Sequence, residues 1–136
     1  MSDDQAPKPT DELIALLRAP STCYLTTLMP DCSPQLSRTW VDTDGEHILI
    51  NSVVGHQKQR NIERDPRVAV AISDPADPTR YVSVRGRVIA TTTEGAADHI
   101  EALARKYLGG PYPWYGGREQ TRVMITIAVR KLHAMG

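Results

Sequence analysis

The residues best suited to chemistry lie in one charged segment, HQKQRNIERDPR, at residues 56–67. An apolar run and a glycine precede it and Pro66 lies near its end, so the pattern predicts a short helix that begins after a strand. Lys58, Arg60 and Asn61 would lie at the start of this helix, where backbone N–H groups lack partners and the helix dipole is positive. This combination predicts an anion site, with a phosphorylated ligand as the natural candidate.

An ordinary solvated helix face would explain the same charges. Arg60, Arg64 and Arg67 recur at intervals of four and three residues, which places them on one side of a helix. Glu63 and Asp65 lie among them and would neutralise that side. The pattern alone therefore leaves both interpretations open.

Other polar and aromatic residues could complete a binding site. Asn51 and Ser52 end the preceding strand and would face the same mouth, although residues of these types at a strand end more often form turns. Trp40 and Tyr81 could form a pocket wall or pack in the core. Trp114 belongs to the loop PYPWYGG, whose three aromatic side chains cannot all be buried in their own core. A ligand pocket and a subunit interface are both open for this loop.

The composition and motifs exclude several classes of function. Lys plus Arg and Asp plus Glu each number 16, so no net charge draws the protein to nucleic acid or to an anionic membrane. The two cysteines and four histidines form no metal-binding pattern, and no hydrolase, dinucleotide or Walker motif is present. No side chain is recognisable as an acid, base or nucleophile. If the protein is an enzyme, we expect a cofactor to carry the reaction.

The chain is predicted to form one domain. Residues 1–9 are expected to be a disordered lead, and residues 10–136 are long enough to bury an ordinary hydrophobic core. A leader or membrane-spanning pattern is absent, so we expect a soluble, cytoplasmic protein. Thr10 is predicted to cap a first helix, and a threonine at 92 or 93 to cap a helix that ends at Gly109.

The strand pattern predicts a mainly β fold. The predicted strands are residues 22–29, 35–42, 47–53, 68–73, 81–91 and 122–132. Gly86 interrupts the fifth strand and predicts a bulge or a barrel corner. Because the first three strands are joined by short turns, we predict a six-stranded antiparallel split barrel with peripheral helices, and parallel α/β winding is the alternative.

The sequence resembles the split β-barrel flavin and deazaflavin oxidoreductases, the pyridoxamine 5'-phosphate oxidase-like superfamily. The resemblance spans residues 22–132 and lies in the segments SPQLSRTW, ILINSVVGHQKQRNIERDPRVAVAI and YVSVRGRV. Its most specific part is KxRNIxRDPRV. The small size is similar to that of the B group, which uses the deazaflavin coenzyme F420.

The resemblance implies a set of cofactor-binding residues. Lys58 matches the family lysine that binds the cofactor phosphate, and Arg60 and Asn61 lie beside it in the same motif. Ser37, Asn51 and Ser52 correspond to strand residues that line the cofactor mouth, and residues from Gln35 to Trp40 to the strand beneath the ring. Tyr81 and Trp114, the candidate pocket aromatics of the sequence pattern, complete the set assigned to the cofactor site. The resemblance also implies a homodimer with the site between the subunits, where the loop around Trp114 would find a partner.

The activity that the resemblance implies is hydride transfer between F420 and a small electron-poor organic acceptor. The alternatives are an FMN-dependent oxidoreductase of the same fold and a protein that binds a flavin or deazaflavin without turnover. The C-terminal arginine motif with which true pyridoxamine phosphate oxidases hold pyridoxal phosphate is missing, so we do not expect vitamin B6 oxidation. Metal, nucleic acid and membrane partners are not expected.

Overall fold

The computed structural model describes residues 8–135, so the predicted disordered lead lies outside the described residues except for Lys8 and Pro9. The described chain forms one seven-stranded antiparallel sheet and three helices. The helices are α1 (Asp11–Arg18), α2 (Gln57–Arg64) and α3 (Ala96–Leu108). The strands are β1 (Thr22–Leu28), β2 (Pro34–Thr39), β3 (Val41–Thr43), β4 (Ile48–Val53), β5 (Arg67–Asp74), β6 (Asp77–Thr92) and β7 (Arg122–Met135). None of these helices has the length and apolar character needed to cross a membrane.

The sheet curls on itself because its two outermost strands are consecutive in the chain. The strand order is β2-β1-β5-β6-β7-β4-β3, and only Trp40 separates β2 from β3. The two edges must therefore meet at this residue. The sequence predicted one strand over 35–42, and the break at Trp40 turns six predicted strands into seven. The prediction of a mainly β, antiparallel split-barrel fold is confirmed.

Alternating side chains determine which face of each strand lies inside the barrel. In β5, Val68, Val70 and Ile72 are buried, and the residues between them point outward. α1 packs its apolar face, which includes Leu13 and Leu17, against the same core. Thr10 caps α1 as predicted, because its Oγ1 accepts a 3.2 Å hydrogen bond from the backbone N–H of Leu13.

Gly86 allows the long strand β6 to pass close to β7. The pairing register between these strands shifts between Arg85 and Gly86, so the predicted bulge is confirmed. A Cβ atom at Gly86 would lie 2.5 Å from Ile127 Cγ2 and 3.0 Å from the carbonyl oxygen of Ala128. Only glycine fits this close approach without a shift of the neighbouring strand.

The third helix begins later than the sequence predicted. Gly95, with φ of 78°, forms its N-terminal cap, and the predicted threonine cap is wrong. Thr92 Oγ1 instead accepts a 3.1 Å hydrogen bond from the backbone of Glu94, in the turn before the helix. The helix ends at Gly109 with φ of 76°, as predicted.

Candidate functional site

A cavity of about 580 Å³ lies where the break at Trp40 meets α3 and the segment after α3. Its volume is within the range of small-molecule sites, roughly 300–1,000 Å³. We call residues 109–121, which join α3 to β7, the aromatic loop. The residues that line the cavity are Pro20, Ser21, Thr22, Arg38, Thr39, Trp40, Asn51, Lys58, Pro75, Ile100, Leu103, Tyr107, Tyr112, Tyr115 and Arg122.

Lys58 and Arg122 bring two half-buried positive charges to this cavity. Burial lowers the pKa of Lys58, and the nearby charge of Arg122 lowers it further. Burial also lowers the pKa of Arg122. Among the described residues, no carboxylate lines the cavity or forms an ion pair with either side chain. An anion bound here would offset both the desolvation and the mutual repulsion of the two cations.

Hydrogen bonds hold the Arg122 guanidinium in place. Its Nε donates to Asn51 Oδ1 at 2.8 Å, and its Nη1 lies 3.4 Å from the hydroxyl oxygen of Tyr112. The Tyr112 ring also lies against this guanidinium, with 5.4 Å from Arg122 Cζ to the ring centroid. The cation is therefore oriented before any ligand binds.

A chain of polar contacts extends from Asn51 into α3. Because Arg122 can only donate, Asn51 directs its oxygen to it, and its Nδ2 donates to the carbonyl oxygen of Ala96 at 2.9 Å and meets His99 Nδ1 at 3.1 Å. His99 Nδ1 then accepts, so the ring proton lies on Nε2, which is 3.5 Å from Asp42 Oδ2. Burial raises the pKa of Asp42, but contacts that include His99 and Lys106 have the larger combined effect and lower it.

Aromatic rings form one wall of the cavity. Trp40 stacks on Tyr107 with 5.3 Å between centroids and 10° between planes, and Tyr112 meets Trp40 edge-on at 6.2 Å. The Tyr107 hydroxyl donates to the carbonyl oxygen of Ser21 at 2.7 Å and accepts from the backbone N–H of Val41 at 3.2 Å. Burial raises the pKa of Tyr107 to about 12, so the phenol stays neutral and serves as a structural support.

Of the ten residues that the sequence nominated, the structure brings Trp40, Asn51 and Lys58 to the lining of this cavity. Arg60 is exposed on α2 and donates to Gln57 Oε1 at 2.6 Å. Asn61, on the same helix, is completely buried.

Two of the nominated polar residues, Asn61 and Gln35, take part in hydrogen bonds beneath α2. Asn61 Nδ2 donates to Thr27 Oγ1 at 3.0 Å, and Thr27 donates in turn to Gln35 Oε1 at 3.2 Å. Asn61 Oδ1 accepts from Gln57 Nε2 at 2.7 Å. These bonds join α2 to β1 and β2, so Asn61 and Gln35 hold the helix on the barrel instead of lining the cavity.

The remaining nominated residues also lie outside the cavity lining. Ser37 and Ser52 have buried hydroxyl groups without a hydrogen-bond partner in the described part of the chain. Tyr81 lies on β6, opposite Ser73 of β5. Trp114 packs against the Tyr112 ring, with 5.2 Å between ring centroids, and does not line the cavity.

Arg122 and Tyr107 are site residues that sequence reasoning did not select, and Tyr112 was considered only as one of the three aromatic residues of the loop PYPWYGG. An arginine at the start of an apolar strand has no distinctive pattern, and the pairing of β7 with β4 is what brings Arg122 beside Asn51. Tyr107 falls on the apolar face of a helix, where the sequence indicates only a core position. The composition of the aromatic loop was the one sequence signal that pointed to Tyr112, because the loop contains Tyr112 close to Trp114.

A second groove, of about 520 Å³, lies on the outer face of the sheet. It is lined by Thr26, Leu28, Arg67, Val68, Ala69, Arg85, Gly86, Arg87 and Arg130. Large apolar side chains are exposed nearby, with Leu36 65% and Tyr24 42% accessible. No residue lines both this groove and the cavity that contains Lys58 and Arg122.

Comparisons with known proteins agree with this architecture. The family model described as Pyridoxamine 5'-phosphate oxidase matches residues 9–136. A solved F420 reductase is 31% identical over 88% of this chain and 94% of its own, with a TM-score of 0.78. A conserved hypothetical protein from Mycobacterium tuberculosis is 24% identical over 91% of this chain and 82% of its own, with a TM-score of 0.71. General Stress Protein 26 from Bacillus anthracis is 17% identical over 92% of each chain, with a TM-score of 0.69. The last two similarities, at 24% and 17% identity, show the fold alone. No curated protein matches the chain.

Proposed function

Because the chain belongs to the pyridoxamine 5'-phosphate oxidase family, we propose that it is an oxidoreductase that uses the deazaflavin coenzyme F420 to reduce a small electron-poor organic acceptor. The observation that carries the proposal is the pair of cations, Lys58 and Arg122, beside an aromatic wall in one cavity. The 31% identity to an F420 reductase, over most of both chains, supports the choice of cofactor.

The residues present fit a cofactor that combines a phosphate with a flat ring. Lys58 and Arg122 would hold the phosphate, because both are desolvated and neither is neutralised by a carboxylate among the described residues. Trp40 and Tyr112 offer apolar surface of the kind that a planar ring packs against. When bound in its reduced form, F420 supplies a hydride.

The protein's own contribution is binding, orientation and exclusion of water. Lys58 and Arg122 fix the anionic part of the ligand, and the bond from Arg122 to Asn51 keeps that cation oriented. The stacked Trp40 and Tyr107 rings keep water from one side of the cavity. We assign the phosphate to Lys58 and Arg122 ahead of Arg60 and Asn61, because the first two line the cavity, whereas Arg60 is exposed on α2 and Asn61 is buried beneath that helix.

FMN is the second candidate cofactor, since it also carries a phosphate on a tricyclic ring and the family is named for an oxidase. Titration of the purified protein with F420 and with FMN, followed by the fluorescence of each cofactor, distinguishes them. We expect F420 to bind in the micromolar range or tighter and FMN to bind more weakly. Tighter binding of FMN, or absence of F420 binding, would overturn the choice of F420.

Binding without turnover would make the protein a carrier or sensor instead of an enzyme. We therefore propose a second assay in which reduced F420 is mixed with a panel of enones and quinones, with and without the protein. An enzyme accelerates the oxidation of F420 in proportion to protein concentration. Equal rates in the two samples, from a protein that binds F420, would exclude catalysis with these acceptors.

The proposal includes a homodimer with the cofactor site at the subunit interface. It is supported by Tyr115, which lines the cavity and is 73% exposed, and by the exposed apolar residues Leu36 and Tyr24 on the outer face of the sheet. Large exposed apolar side chains of this kind mark contact surfaces. Sedimentation equilibrium should give twice the 15.0 kDa mass of one chain. Leu36→Asp should shift that mass toward one chain, and a monomeric unchanged protein would overturn this part of the proposal.

A further inference from the structure

Both carboxylate oxygens of Glu101 bind the aromatic loop. Oε1 accepts a 2.8 Å hydrogen bond from the backbone N–H of Tyr112, and Oε2 accepts a 2.9 Å bond from the indole Nε1 of Trp114. These hydrogen bonds lower the pKa of Glu101, and the charges of Arg118 and Arg105 lower it further. The carboxylate is therefore ionised at neutral pH and joins α3 to the loop by two charge-assisted bonds.

Tyr112 connects these bonds to the cavity. Its hydroxyl lies 3.4 Å from Arg122 Nη1, its ring lies 5.4 Å from Arg122 Cζ, and it meets Trp40 edge-on. Trp114 and Tyr115 pack against the same ring at centroid distances of 5.2 and 5.7 Å. A shift of Tyr112 would therefore move both the aromatic wall and the Arg122 guanidinium.

The backbone of the loop does not favour this shape without such contacts. Trp114 has φ of 53°, in the left-handed region that residues with bulky side chains rarely adopt. Two glycine pairs, at 109–110 and 116–117, flank the aromatic residues and supply flexible backbone on both sides. The bond from the Trp114 indole to Glu101, together with the Arg118 guanidinium 5.1 Å from the Trp114 ring centroid, opposes this strain.

We propose that Glu101 is a positioning residue, which holds the aromatic loop closed against α3 and thereby fixes Tyr112 and Arg122 where an anionic cofactor meets them. This proposal rests on the proposed function, because it assumes that the cofactor binds beside Arg122. Glu101 itself does not line the cavity and acts only through the loop.

The first test examines the loop without any ligand. Amide hydrogen exchange at Tyr112 and the indole N–H signal of Trp114 report the two bonds directly, and Trp114→Phe assigns the indole signal. Glu101→Ala should speed the exchange of the Tyr112 amide by about tenfold. Glu101→Gln keeps an acceptor for Tyr112 but presents an amide N–H group to the Trp114 indole, so it should shift the indole signal with a smaller effect on exchange. Asp98→Asn is the matched control, because Asp98 is an exposed acid one turn earlier on α3.

The second test measures F420 affinity in the folded protein. Glu101→Ala should raise the Kd for F420 by about tenfold, because the released loop would no longer hold Tyr112 and Arg122 in the orientation that the cofactor requires. In an Arg122→Met background the same change should have a clearly smaller effect, since the part transmitted through Arg122 is already lost and only the part through the Tyr112 ring remains. An effect that persists at full size in this background would overturn the positioning role.

The outcomes separate this proposal from the proposed function. If the unchanged protein binds F420 and all Glu101 variants bind it equally well, the role of Glu101 is overturned and the proposed function stands. If the unchanged protein does not bind F420, the proposed function fails, and the role of Glu101 toward that cofactor fails with it. Unchanged exchange at Tyr112 in Glu101→Ala would overturn the closed-loop assignment whatever the cofactor result.

Discussion

Asn51 Oδ1 accepts a 2.8 Å hydrogen bond from Arg122 Nε, across the pairing of β4 with β7. The sequence nominated Asn51 as a cofactor-site residue but did not nominate Arg122. Asn51 is also bound through its Nδ2 to Ala96 and His99, so the amide links the cavity to α3. The orientation of the second cation therefore depends on a buried amide with its hydrogen-bonding groups in use.

Lys58→Met should separate ligand affinity from stability. Hydrogen bonds to charged groups contribute about 1.5–3 kcal/mol, so the loss of this cation should weaken F420 binding roughly 10- to 100-fold. The free energy of unfolding should stay the same or rise by up to about 1 kcal/mol, because a half-buried cation next to Arg122 is removed. Cofactor titration and urea denaturation measure the two effects. Arg60→Met is the comparison on the same helix, and an affinity loss equal to that of Lys58→Met would contradict the assignment.

Asn61→Ala should reduce stability. Its side chain is fully buried and bonds to Thr27 and Gln57, which would be left with unsatisfied polar groups. We expect the free energy of unfolding to fall by about 1–3 kcal/mol, as is typical when a buried partner is lost. Urea denaturation measures this loss. A fully stable variant with abolished F420 binding would instead restore Asn61 to the ligand-facing role that the sequence predicted.

Gly86→Ala should destabilise the barrel. The added Cβ would lie 2.5 Å from Ile127 Cγ2 and 3.0 Å from a backbone oxygen, so β6 and β7 would have to separate. Overpacking of this kind typically costs about 1–3 kcal/mol. Gly110→Ala is the control, because nothing lies within 4 Å of the Cβ position there. Equal melting temperatures for the two variants would show that the strand contact is less restrictive than the geometry indicates.

The two cysteines should differ in reactivity. Cys32 is exposed, whereas Cys23 is completely buried and burial raises its pKa from 9.0 to about 12. A thiol reagent at pH 8 should label Cys32 in the folded protein and Cys23 only after unfolding. Mass spectrometry of the labelled protein counts the reacted thiols. Rapid labelling of both in the folded state would disagree with the burial of β1.

The free energy of unfolding should decline in the alkaline range, because burial raises the pKa of both Cys23 and Tyr107. The folded protein keeps Cys23 and Tyr107 protonated, with pKa values of about 12, while the unfolded chain loses these protons near pH 9 and 10. Their contribution is therefore fully present below about pH 9 and is lost as the pH rises toward 12. Urea denaturation at pH 8 and pH 10.5 tests this, and Cys23→Ala should show a smaller decline. A pH-independent free energy of unfolding would contradict it.

The sequence by itself determined the local structure and nominated three residues that line the cavity, Trp40, Asn51 and Lys58. Alternating apolar residues predicted the strands, Thr10 predicted the cap of α1, and Gly86 predicted the bulge in β6, because each of these features depends on residues that are close in sequence. Lys58 was identified as an anion-binding candidate because it follows a strand and a glycine at a helix start. These signals were sufficient for the fold class.

The tertiary structure alone decided which residues share the cavity. The pairing of β4 with β7 brings Arg122 beside Asn51, and the packing of α3 brings Tyr107 onto Trp40. The sequence also could not predict the rotation of α2 about its axis, because Ile62 is the only strongly apolar residue in that helix. Contacts with β1 fix the rotation, bury Asn61 and leave Lys58 facing the cavity. Closure of the sheet breaks the predicted second strand at Trp40. The two strands on either side of this break, β2 and β3, lie at opposite ends of the strand order, and the sequence pattern does not show that they meet.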